Sequence, residues 1–159
     1  MRLIEEAVAL ERKAEEAYRR AAAATADPGA RTILLLLADA EAGHVVALMS
    51  RKDAVDLRGP NLIAAARAWV RGAVEGGGPL SSDVGLLPAL RRAMDTERAT
   101  EAFYRAQAAT VDEPRVRALL ASLADAEAEH YHFVSSLVEY FNRPSEWVES
   151  AEFGLRPEY

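Results

Sequence analysis

Apolar residues recur at alternating spacings of three and four along four long stretches of the chain. From Leu3 to about Thr25 the seam runs Ile4, Ala7, Glu11, Ala14, Tyr18 and Ala21. From about Ala30 to Arg51 it runs Leu34, Leu37, Glu41, His44 and Leu48. A third stretch begins near Pro88 and reads Leu90, Ala93, Glu97, Thr100, Tyr104 and Gln107. The fourth, from about Pro114 to Tyr140, reads Leu120, Leu123, Glu127, His130, Val134 and Leu137. This rhythm predicts four amphipathic helices, with Pro88 in the first turn of the third. Ala26-Asp27-Pro28-Gly29 and Val111-Asp112-Glu113-Pro114 predict short turns, so the helices pair as antiparallel neighbours. The fold class is all-α, a four-helix bundle. Each seam is interrupted by a carboxylate where an apolar residue is expected.

The interruptions repeat. Ala38-Asp39-Ala40-Glu41-Ala42-Gly43-His44 recurs as Ala124-Asp125-Ala126-Glu127-Ala128-Glu129-His130 with one difference, 86 residues on (124 − 38 = 86). The same offset maps Glu11 to Glu97, Tyr18 to Tyr104 and Arg31 to Arg117. The chain therefore reads as a tandem duplication of a two-helix unit. Residues 52–87 form a long connection, broken most clearly at Gly76-Gly77-Gly78-Pro79. Its length lets both units present the same face to a shared centre. A structureless loop of that size is unusual, and Asn61 to Val74 is the segment expected to form a short helix within it. The bundle spans 1–140. Residues 141–159 form a tail with Trp147, Phe153 and Tyr159, expected to dock on a partner or remain a loose end.

Composition narrows the chemistry. A chain of 159 residues, half of them apolar, can bury a core as one domain. Its net charge of −6 argues against a nucleic-acid footprint. With no cysteine, disulfides, thiolate metal sites and an internal Cys-based redox relay are excluded. The start, Met1-Arg2-Leu3-Ile4-Glu5-Glu6, turns acidic at once and does not read as a signal peptide. Uninterrupted apolar runs such as Ile33 to Ala38 are too short to span a bilayer. A cytoplasmic location is expected, with no membrane partner.

Each Glu-x-x-His places its two side chains about one turn apart on one helix face. An ionised carboxylate buried alone costs several kcal/mol, and four close together repel. Protonation or cations must neutralise them. Imidazole with carboxylate suits iron and manganese, and zinc less specifically. Four carboxylates balance two divalent ions, so Glu11, Glu41, His44, Glu97, Glu127 and His130 form a candidate two-metal site. His132 lies two residues from His130, points about 160° away and is read as outside the set. Gly43, mid-helix, is left open between close packing and a bulge.

This set resembles the ferritin-like di-iron carboxylate superfamily. The Glu followed seven residues later by Tyr in both halves is similar to the rubrerythrin branch. The resemblance covers about Leu3 to Tyr140. It implies that Glu11 and Glu97 are terminal ligands to one metal each, that Glu41 and Glu127 bridge, and that His44 and His130 complete the two spheres. Tyr18 and Tyr104 would donate hydrogen bonds to the ligand carboxylates.

Two departures matter. The rubredoxin-type domain of rubrerythrins needs cysteines, which this chain lacks, so electrons would come from a separate donor protein. The additional carboxylate one turn before the third-helix ligand is Met94 here, with Val8 its counterpart. Glu101 and Glu15 lie one turn after the ligands, on a flank of the seam. The resemblance implies two iron ions, manganese or a mixed pair being alternatives. It implies reduction of hydrogen peroxide or dioxygen. The rival reading is a ferroxidase, or an iron-binding or storage protein, possibly the cargo of a shell. A homo-oligomer, most simply a dimer, is expected.

Overall fold

The computed structural model describes residues 2–51, 57, 59, 61–76 and 85–142. The elements are all helices: α1 (Arg2–Ala24), α2 (Pro28–Ser50), α3 (Leu62–Glu75), α4 (Leu86–Thr110) and α5 (Pro114–Asn142). No strand occurs among the described residues. The short helix expected within the connection is α3. The tail from 143 onward and the Gly77-Gly78-Pro79 break lie outside the described residues.

Helix α2 starts two residues earlier than the apolar pattern implied, for a local reason. Asp27 is its N-cap and accepts a hydrogen bond from the Ala30 amide at 2.9 Å, with Pro28 at the first helical position. A capping carboxylate satisfies an amide that has no partner within the helix, and proline has no amide to lose there. The turn is held from the other side as well. Arg31 reaches back to the Thr25 carbonyl at 2.8 Å, and Arg117 reaches the Val111 carbonyl at 2.9 Å. These contacts are equivalent at the 86-residue offset (25 + 86 = 111; 31 + 86 = 117).

Helices α1 and α2 pack as one antiparallel pair and α4 and α5 as another; α1 meets α4 and α2 meets α5 across the middle. Two apolar clusters fill the interior. Ile33, Leu34, Leu37 and Leu90 anchor one end, with Trp69 of α3 laid over it. Leu48, Leu119, Leu120 and Leu123 anchor the other. Each fully buried leucine contributes about 1.5–3 kcal/mol relative to exposure. The six polar candidates lie between the clusters, so apolar packing on both sides keeps water out.

One expectation needs correction. Uninterrupted apolar runs are short, but α2 as a whole is long and apolar enough, by length and composition, to cross a bilayer. In this fold 56% of its most apolar stretch is buried against other helices. That apolar length serves the core, because α2 is the helix that touches α1, α3 and α5.

Gly29 shows how tightly α3 is applied. A Cβ at this position would lie 2.0 Å from the Trp69 ring. Gly29→Ala is expected to destabilise the protein by about 1–3 kcal/mol, the usual cost of overpacking. Chemical denaturation checks this. In a Trp69→Leu background the same substitution should cost less than half as much, since the clashing ring is gone.

Candidate metal centre

Glu11 is placed by α1, Glu41 and His44 by α2, Glu97 by α4, and Glu127 and His130 by α5. All six side chains meet at the centre, and none is more than 2% exposed. The His44 Nδ1 lies 2.9 Å from Glu127 Oε1, 3.2 Å from Glu41 Oε2 and 3.5 Å from Glu11 Oε1. The His130 Nδ1 lies 3.4 Å from Glu41 Oε1 and 3.7 Å from Glu97 Oε2. The imidazole rings stack with centroids 5.5 Å apart and planes 13° from parallel.

Besides a group of His44, Glu127 and His130, ligand atoms from these residues fall into two overlapping groups of four. One comprises Glu11, Glu41, His44 and Glu127; the other comprises Glu41, Glu97, Glu127 and His130. Within each group the atoms lie within 4.8 Å of one another. These buried groups could hold a metal ion. Glu41 and Glu127 belong to both.

The atoms converge as acceptors without donors. His44 Nε2 is 2.7 Å from the Leu57 carbonyl. A carbonyl only accepts, so this nitrogen carries the hydrogen and, in the neutral ring, Nδ1 presents a lone pair to the carboxylates. Both oxygens of Glu41, with Glu11 Oε2, Glu97 Oε2, Glu127 Oε1 and His44 Nδ1, are buried without an aligned hydrogen-bond partner. Buried polar atoms are normally paired, so six such atoms turned toward one another describe a cavity built for positive charge.

Without a cation the centre must hold protons. Burial pushes the Glu11 carboxyl up to about 8, against the opposing pull of His44. Burial, then the charge of Glu41, raises Glu127 well above the carboxylate range. Burial raises Glu41 too, but His130, His44 and Glu11 outweigh it and hold this group below the ordinary value. Burial opposes the His130 imidazolium, yet Glu41 and Glu97 overcome it and lift the ring to about 10. His44 is raised in the same way by Glu11, Glu127 and Glu41.

The two tyrosines cross between the halves. The Tyr18 hydroxyl donates to Glu97 Oε1, and the Tyr104 hydroxyl donates to Glu11 Oε1. Burial, and then the charge of the facing glutamate, raises both phenols, so they stay protonated and act as donors. Sequence spacing placed each tyrosine on the face of its own helix's glutamate. It carried no signal that the partner belongs to the other half. Nor did it point to Leu57, whose carbonyl sits in the connection.

Other candidates fall outside the cluster. Glu15 and Glu101 each pair with an arginine at 2.8 Å, Arg19 and Arg105, and those arginines also reach Asp39 and Asp125 at 3.1 and 3.2 Å. These pairs repeat at the same offset (15 + 86 = 101; 19 + 86 = 105; 39 + 86 = 125). His132 is exposed. Met94 and Val8 pack against the apolar clusters. Nothing lies within 4 Å of a Cβ placed on Gly43, and no close approach explains that glycine.

The pH dependence of the metal-free protein follows from Glu11 and His130. Both hold their protons more tightly when folded, so their contribution to stability is full below their ordinary values and is lost as pH rises, through 4.5 to about 8 for Glu11 and 6.5 to about 10 for His130. The unfolding midpoint should therefore drop steadily from pH 6 to pH 9. Titration with a divalent metal at pH 7 in weak buffer should release the protons held by Glu11, Glu127, His44 and His130 and flatten that dependence. Metal uptake with no proton release would contradict this account.

Comparison with family models, with curated proteins and with solved structures finds no match to this chain.

Proposed function

We propose that the chain is a non-haem di-iron oxidoreductase of rubrerythrin type, a ferritin-like four-helix bundle formed by a duplicated two-helix unit. It reduces hydrogen peroxide or dioxygen with electrons from a separate donor protein. The observation that carries this reading is the sharing of Glu41 and Glu127 between two ligand groups, each completed by one further glutamate and one histidine. Glu11 and His44 would hold one metal, Glu97 and His130 the other, and Glu41 and Glu127 both. Four carboxylates neutralise two divalent ions, and the ligand mix suits iron or manganese.

When bound, two ferrous ions supply the two electrons that a peroxide bond consumes. The chain's own residues do the rest. Burial restricts what reacts to a group of a few atoms and keeps water away. Tyr18 and Tyr104 hold protons against Glu97 and Glu11, where oxygen reduction needs them. Carboxylates in both ligand groups can take up charge changes by shifting between one metal and two. The absence of cysteine leaves electron supply to a partner.

Anaerobic titration of the metal-free protein with Fe(II) should saturate near two irons per chain. A stopped-flow pulse of hydrogen peroxide should then oxidise the site faster than air does. Faster oxidation in air, with continued uptake of added Fe(II), would favour a ferroxidase or storage role instead. No iron binding would end the di-iron reading. Glu41→Ala should cost both metals and the stability they add, about 2.7 kcal/mol per site at free metal a hundredfold above the dissociation constant. A metal-free helical scaffold would be unchanged or stabilised by that substitution.

A further inference from the structure

The two halves are alike at the ligands and unlike beside them. Around Tyr104 the neighbouring positions are large. Phe103 stands edge-on to Tyr104 with ring centroids 5.6 Å apart, and Leu3 packs into the same cluster. Around Tyr18 the equivalent positions are alanines (17 + 86 = 103; 3 + 86 = 89). On that side an open groove of about 470 Å³ lies between α1 and α4, floored by Ala17, Ala21, Ala89 and Ala93, with the exposed Arg20, Arg92 and Thr96 also lining it, and it reaches Tyr18.

Tyr18 links this groove to a carboxylate of the cluster, since it lines the groove and its hydroxyl donates to Glu97. A second groove, between α3 and α5, reaches His130. There the barrier is itself one of the six, and moving it would dismantle the centre. Tyr18 is not one of the six.

The size and lining of the groove speak to the occupant. A water-sized molecule occupies about 30 Å³, so hydrogen peroxide needs only a small part of this space. Pockets for small organic molecules run from about 300 to 1,000 Å³ and are mostly apolar. A floor of alanine methyl groups suits a compact hydrocarbon.

We propose that the α1–α4 groove binds an alkyl hydroperoxide, its hydrocarbon body on the alanine floor and its –OOH end delivered past Tyr18. This rests on the peroxidase reading and names a substrate class for it. The overall change is ROOH + 2 H⁺ + 2 e⁻ → ROH + H₂O. The O–O bond would break on taking two electrons, which two bound ferrous ions would supply. The terminal oxygen leaves as water and the alkoxide oxygen takes the other proton. The separate donor protein returns the electrons.

The test has a binding arm and a kinetic arm. In the metal-free protein, 2-phenyl-2-propanol (the inert alcohol formed from cumene hydroperoxide) should shift the alanine methyl resonances of Ala17, Ala21 and Ala93 saturably. Ala17→Phe, which copies the filled side, should abolish the shifts at Ala21 and Ala93. In the iron-loaded protein Ala17→Phe should slow oxidation by cumene hydroperoxide about tenfold or more, and oxidation by hydrogen peroxide much less. Iron content should stay unchanged. Ala89→Leu copies Leu3 and serves if Ala17→Phe does not fold. Absence of saturable shifts, or equal effects on both peroxides, would overturn the proposal. Alcohol binding by a protein that takes up no iron would retain the groove and overturn the peroxidase reading beneath its substrate assignment.

Discussion

Four carboxylates and two imidazoles occupy one buried interior, and their mutual repulsion is the constraint around which the rest of the molecule is arranged. Each ionised carboxylate would cost several kcal/mol if left alone there. The centre tolerates them only by holding protons or cations, and the raised Glu11, Glu127, His44 and His130 show that protons are held tightly when nothing else is present. A scaffold that has to resist such repulsion needs rigid walls. The leucine clusters above and below the centre, and the paired turns clamped by Arg31 and Arg117, supply them.

The repeat is a physical solution to the same problem. A single two-helix unit offers one glutamate and one Glu-x-x-His, only half of the buried cluster. Two units facing each other double the set and place Glu41 and Glu127 between both groups. The tyrosines tie the halves together, each phenol bound to the glutamate of the opposite unit. On the outside, Arg19 and Arg105 make matching bridges from α1 to α2 and from α4 to α5. These exposed pairs contribute little energy, about 0–1 kcal/mol each. Their value lies in showing that the helices of each pair share the same register.

Much of this was legible in the sequence because the chemistry and the periodicity conflict. A glutamate at a seam position is conspicuous where helical spacing demands an apolar residue, and four in register at one offset are more conspicuous still. The convergence of the six side chains, the all-helical class and the helix within the connection could all be read that way. Helix starts were less legible, since Asp27 looks like turn chemistry until its side chain is seen to cap Ala30. Contacts between halves left no local trace. Neither the crossing of Tyr18 to Glu97 nor the Leu57 carbonyl behind His44 has a spacing that marks it, because both depend on tertiary placement alone. The apolar length of α2 was misjudged by counting unbroken runs, although the property belongs to the helix as a whole.

The asymmetry beside the tyrosines shows where the repeated design is free to vary. The ligand positions are held by electrostatics, since losing one leaves the others uncompensated in a dry core. No such constraint acts on Ala17 or Ala89. A large residue is accommodated at the equivalent positions of the other half, where Phe103 and Leu3 pack into the core. Filling the α1–α4 groove would bury more apolar surface and, at about 25 cal/mol per Å², would stabilise the fold. The chain leaves that stabilisation unused on one side and takes it on the other. Small residues on the Tyr18 side therefore work against packing, and among the described residues they leave the groove open beside Tyr18.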